Sequence, residues 1–68
     1  MLVKFTDMDN DAILVDPLTI NVVTEAYMYD DRGLRVKKGS RHVHLESSRI
    51  EVQEEIGEIF VMVNNACD

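Results

Sequence analysis

Clusters of turn-forming residues at Asp7–Asp11, Asp16-Pro17 and Asp30–Gly33 divide the first half of this chain into apolar runs that read as strands. Leu2, Val3 and Phe5 lead into the first cluster and Ala12 to Val15 leave it, which predicts an opening hairpin. Asp16-Pro17 ends that hairpin, because proline has no amide hydrogen and restricts the residue before it. From Ile20 to Tyr29 a two-residue period predicts a longer strand. Ile20, Val22, Ala26 and Met28 lie on one face, and Asn21, Val23, Glu25, Tyr27 and Tyr29 on the other. The second face is too apolar for plain solvent surface, so Tyr27 and Tyr29 are candidates to meet another subunit or a ligand. Leu34 to Val36, a turn over Lys37–Ser40, and Arg41 to Leu45 read as a second hairpin. Its last strand sets Val43 and Leu45 on one side and His42, His44 and Glu46 on the other.

The remaining chain has helical spacing. Ser48 followed by Glu51 fits a capping box, and Glu51, Glu54 and Glu55 suit the positive end of a helix dipole. Val52, Ile56, Ile59, Phe60 and Val63 form one stripe, which predicts a C-terminal helix over about 48–64 that covers the sheet. Gly57 beside the stripe suggests a close backbone approach. The expected fold is α+β: one domain over residues 1–68, with a small, twisted, mainly antiparallel sheet of four or five short strands and one C-terminal helix.

A domain of this size buries only about 60% of the surface its unfolded chain exposes. Small domains compensate with disulfides, metals or oligomerisation. The single Cys67 excludes an intramolecular disulfide, so a homo-oligomer is expected. The apolar residues near Met1 are interrupted by Lys4, Asp7, Asp9 and Asp11, unlike a signal peptide, and no apolar run approaches the ~20 residues of a membrane span. These features predict a cytoplasmic protein, of a bacterium or an infected host cell, with no membrane partner.

The net charge of −6 is unevenly spread. Arg32, Arg35, Lys37, Lys38, Arg41 and Arg49 face only Glu46 between positions 32 and 49, a segment of +5, whereas the remainder carries −11. Charge asymmetry of this kind bears on partners. Arg35 and Lys37 alternate with Leu34 and Val36, and Lys38 and Arg41 flank Gly39-Ser40. The candidate binding residues are therefore Arg32, Arg35, Lys37, Lys38, Arg41, His42 and His44 with Tyr27 and Tyr29. Guanidinium groups hold phosphate and aromatic rings stack on bases, so anions suit such a surface. The same charges could instead protect exposed strands from edge pairing or neutralise the acidic helix of a neighbouring subunit.

Other constellations fall short of chemistry. Asp7, Asp9 and Asp11 have calcium-loop spacing, but Ala12 stands where the sharp turn needs glycine and Leu18 where a bidentate glutamate is required. His42 and His44 offer two metal ligands on one strand face, and a site needs a third. Cys67, next to Asp68, lacks the electropositive setting of a reactive thiol. The glutamates read as a solvated helix face, and Gly33, Gly39 and Gly57 form no phosphate loop. No catalytic residue, metal or cofactor is expected.

The order of elements resembles the flagellar and swarming-motility small proteins of the FlbD type. The matching residues are Met1 to Thr6, Ile13 to Pro17 followed by Ile20 and Val23, Gly39 followed by Val43, and Glu46-Ser47 ahead of Val52 and Ile56. The resemblance spans about residues 1–60 and implies a similar architecture and a motility-related role. The chain differs in Asn10-Asp11 at the turn and in a longer segment from Tyr27 to Lys38. A weaker likeness, through Met1-Leu2, Thr6 and Val43-His44, is to the carbon storage regulators, dimers that bind RNA.

The leading functional expectation is a non-enzymatic adaptor or inhibitor, phage-like in its compact size, that docks on a protein partner through residues 32–41. The alternative is a homo-oligomer that sequesters a small phosphorylated ligand such as a nucleotide. Extended nucleic acid ranks lower, because the −11 remainder repels a long phosphate backbone.

Overall fold

In a computed structural model, which describes residues 1–67, five strands and one helix follow in the order β1 Val3–Thr6, β2 Ala12–Val15, β3 Val22–Tyr29, β4 Arg35–His44, β5 Arg49–Val52 and α1 Ile56–Cys67. A short 3-10 turn over Pro17–Thr19 joins β2 to β3, with the Asp16 carboxylate accepting from the Leu18 amide. The strands form two antiparallel sheets, β1-β2 and β3-β4-β5. The α+β class, the five short strands and the single C-terminal helix agree with the sequence reading. The strands divide between two sheets.

Two hairpin turns use one device. In Asp7–Asp11 and again in Asp30–Leu34, the leading aspartate accepts from the amides two and four residues on through Oδ1, each at 2.9 Å. The fourth residue of each turn, Asn10 or Gly33, takes a positive φ. Asn and Gly tolerate that region, and each turn closes like a hairpin loop ending in a bulge. The Asp7 carboxylate is thus a turn-maker.

The core joins Val3, Phe5 and Val15 of the first sheet to Val43 and Val52 of the second and Ile59 of α1. The sheets are stitched where β5 ends. The Gln53 amide donates to the Thr6 carbonyl at 2.9 Å, and Glu54 accepts from both the Thr6 amide and its hydroxyl.

That stitching corrects the helix boundary. The helix begins at Ile56, not at 48, and Ser48 closes the β4–β5 turn by accepting from the Leu45 amide at 2.8 Å. Arg49-Ile50-Glu51-Val52 alternates with period two, and Ile50 and Val52 face the core opposite Val43 and Arg41. A capping box contributes only ~1 kcal/mol, which burial of two β-branched residues in a paired strand exceeds. The packed stripe of α1 is accordingly Ile59, Met62, Val63 and Ala66, while Ile56 and Phe60 remain exposed. Gly57 has open space around it, so no close approach explains it.

The second hairpin is also revised. β4 runs unbroken through Lys37–Ser40, and the reversal lies at Asp30–Leu34. Between the pairs Glu25↔Arg41 and Tyr27↔Lys37, Ala26 alone faces Lys38, Gly39 and Ser40, a bulge in which Gly39 takes φ +91°. A glycine flanked by lysines and serine resembles a turn locally, and only the continuing β3 partner converts it into a bulge. Beyond it, residues 27–38 are exposed except for half-buried Asp30, and the molecule measures 44 × 23 × 22 Å. The end of the β3–β4 hairpin is an arm that adds nothing to the core.

Candidate functional site

The bulge divides the basic stretch into residues neutralised within the chain and residues that face outward. Arg41 belongs to the first group. Only 8% exposed, it donates through Nε to the Glu54 carbonyl at 2.8 Å and through Nη2 to the Gln53 carbonyl at 3.3 Å, with Nη1 3.4 Å from Glu25 Oε1. Those carbonyls lie in the β5–α1 link, so Arg41 braces the helix start.

On the opposite face, Glu51 gathers three neighbours. Lys38 Nζ lies 2.8 Å from Oε2, the Ser40 hydroxyl donates to the same oxygen, and His42 Nε2 lies 3.7 Å from Oε1. The hydrogen bonds from Lys38 and Ser40 hold the Glu51 carboxyl below its ordinary range, against a smaller opposing effect of burial. His44 shares this face, with Nε2 3.1 Å from Thr24 Oγ1 and its ring 6.2 Å from that of His42. Among the described residues, no group of three or more His, Cys, Asp or Glu side chains could hold a metal ion. Cys67 is exposed at the end of α1.

The outward group is Arg32, Arg35 and Lys37 on the arm, with Tyr27 and Tyr29 of the facing strand. Lys37 pairs with Tyr27 and Arg35 with Tyr29, and the Arg35 guanidinium sits 3.6 Å over the Tyr27 ring. Such a contact contributes about 0.5–1 kcal/mol at an exposed site and pre-orders the arginine. Arg32 stands at the tip, with Nη2 3.7 Å from Asp30. Tyr29 is 71% exposed, and Met28, Leu34 and Val36 add further exposed apolar surface. The arm therefore mixes cations, aromatic rings and aliphatic groups on one exposed hairpin.

Two concave surfaces flank β3, one beside the arm and one at the start of the strand. One has mixed charge and is lined by Glu25, Lys37, Arg41, Glu55, Ile56 and Gly57. The other is an apolar groove of about 220 Å³ between the start of β3 and α1, walled chiefly by Ile20, Val22, Val23, Ile56, Phe60 and Val63. Sequence reasoning missed this groove because it assigned Ile56 and Phe60 to the buried stripe. No sequence signal sets Ile56 and Phe60 apart from Ile59 and Val63, because all four fall on one helical stripe.

Geometry and composition together describe a small α+β chain with an exposed basic-aromatic arm. Comparison with family models, curated proteins and solved structures gives no match. No helix among the described residues is long and apolar enough to cross a membrane.

Proposed function

We propose that this chain is a non-enzymatic binding module whose β3–β4 arm docks on an acidic surface of a protein partner. The carrying observation is the partition of the basic stretch: Lys38 and Arg41 are engaged inside the chain, while Arg32, Arg35 and Lys37 stand on a projecting hairpin beside exposed tyrosines. A protein interface rich in Arg and Tyr suits that surface. A phosphorylated small ligand suits it less well. The concavity beside the arm sets Glu25 and Glu55 next to Lys37, and Arg41 is committed to backbone carbonyls.

The test is capture of partners by the immobilised chain from lysate of the cells that encode it. Proteins held by the wild type at low salt are expected to be released at about 0.5 M salt, where screening reaches within a few ångströms. They are also expected to be absent with the folded Arg35→Glu/Lys37→Glu variant. Capture that withstands both salt and charge reversal would overturn the reading.

A further inference from the structure

The outer edge of β3 is the second feature with no role inside the chain. β3 ends the order β3-β4-β5, so every second one of its eight residues turns an unpaired backbone N–H and C=O outward. Proteins usually blunt such an edge with lysine, proline or a bulge. Val22–Tyr29 contains neither lysine nor proline, its one charged residue is Glu25, and the extra residues of the bulge lie in β4.

The two ends of this edge complement each other. Beside Val22 and Val23 lies the apolar groove, whose Phe60 wall is 66% exposed, with Glu25 and Glu55 flanking its Ile56 end. At the other end lie Tyr27 and Tyr29, with Arg35 stacked on the Tyr27 ring. Antiparallel pairing of β3 with β3 of a second copy, about a twofold axis, sets each aromatic-basic end against the other copy's groove-and-acid end. One self-complementary patch thus satisfies both subunits.

We infer that the β3 edge and the adjoining groove are a self-association site, occupied by β3 of a second copy in a register centred on Ala26. The register follows from pairing rules. Opposite residues must share a sheet face, so the axis passes through a residue. Centring on Glu25 would oppose two carboxylates, which destabilises a pair. Centring on Tyr27 would leave Val23 and the groove facing the turn. Centring on Ala26 sets Val23 against Tyr29 of the second copy, at the mouth of the groove. It also sets Glu25 against Tyr27 of the second copy, whose ring carries Arg35. The pairing joins the two three-stranded sheets into one of six and supplies the burial that a domain of this size lacks. It leaves the tip and the β4 side of the arm, with Arg32 and Lys37, open for the proposed partner.

Sedimentation equilibrium of the full chain is expected to give twice the 7.8 kDa chain mass. Phe60→Asp and Tyr29→Asp, both at exposed positions, are expected to give monomers with unchanged circular dichroism. A second experiment tests the register. In a Cys67→Ser background, Val23→Cys/Tyr29→Cys is expected to form covalent dimers on mild oxidation. Within one chain these positions lie about 20 Å apart along an extended strand, beyond the ~7 Å limit of a disulfide. Val23→Cys/Met28→Cys, on opposite faces, is expected to form none. A monomer at every concentration, a dimer indifferent to both aspartates, or equal crosslinking by the two cysteine pairs would each overturn the proposal. These experiments read the mass and crosslinking of the purified chain alone, so their outcomes are distinguishable from those of the partner-capture test.

Discussion

Replacing Arg41 tests whether the basic stretch divides as described. Arg41→Ala removes one short hydrogen bond to the Glu54 carbonyl and two longer contacts, to the Gln53 carbonyl and to Glu25. Hydrogen bonds involving a charged group contribute about 1.5–3 kcal/mol when well formed. The 2.8 Å contact falls within that range, and the contacts at 3.3 and 3.4 Å fall below it. Glu25 keeps some access to water, so the penalty of an abandoned buried charge applies only in part. The total is roughly 3 kcal/mol, within the 3–5 kcal/mol typical of breaking a buried pair. Set against the ~3–10 kcal/mol that stabilises a domain of this length, the loss is large. Urea unfolding followed by circular dichroism measures it. With an m-value of about 1 kcal/mol/M, the midpoint is expected to fall by roughly 3 M. Arg41→Lys is expected to be intermediate, because a single ammonium cannot serve three acceptors spaced for a guanidinium. Arg35→Ala is expected to cost no more than about 1 kcal/mol, the contribution of its contact with Tyr27, and Lys37→Ala to stay within about 0.5 kcal/mol of wild type. An Arg41→Ala midpoint indistinguishable from wild type would refute the assignment of Arg41 to the fold.

Glu51 gives a pH signature. Its carboxyl is held below the ordinary value of 4.5 in the folded chain, so its contribution is present above that pH and disappears as pH falls through the lowered value. Glu51→Gln is therefore expected to be less stable than wild type at neutral pH and to converge with it in acid, as read from thermal unfolding across pH. A constant difference at all pH values would contradict this linkage. The glycines are expected to respond in opposite directions. Gly39→Ala introduces a Cβ with room around it but at φ +91°, and should cost about 1–2 kcal/mol from backbone strain alone. Gly57→Ala, in the first turn of α1 with open space and no positive φ, should stabilise by up to about 1 kcal/mol. Urea midpoints of the two variants measure both effects.

What could be read from residues alone was local. Alternation and turn chemistry located β1, β2, β3 and the Asp30–Gly33 reversal, because a period of two and an Asp-led turn are properties of neighbouring residues. The helix was legible from Ile59 and Val63 onward. Its start was not, because Ser48-to-Glu51 satisfies a cap and Arg49-to-Val52 satisfies a strand. The choice depended on β4 lying alongside and on Thr6 receiving Gln53 and Glu54, which are 47 or more positions away in the chain. The basic island behaved in the same way. Its +5 charge is a sum over residues and needs no fold. Which cations face outward depends on the two-residue surplus of β4 opposite Ala26, which carries Lys38 and Ser40 to Glu51, and on the β5–α1 link that receives Arg41. Sequence therefore determined how much positive charge the segment holds, and tertiary pairing decided where it points, because a side chain's direction follows from the strand register and register is set by distant partners.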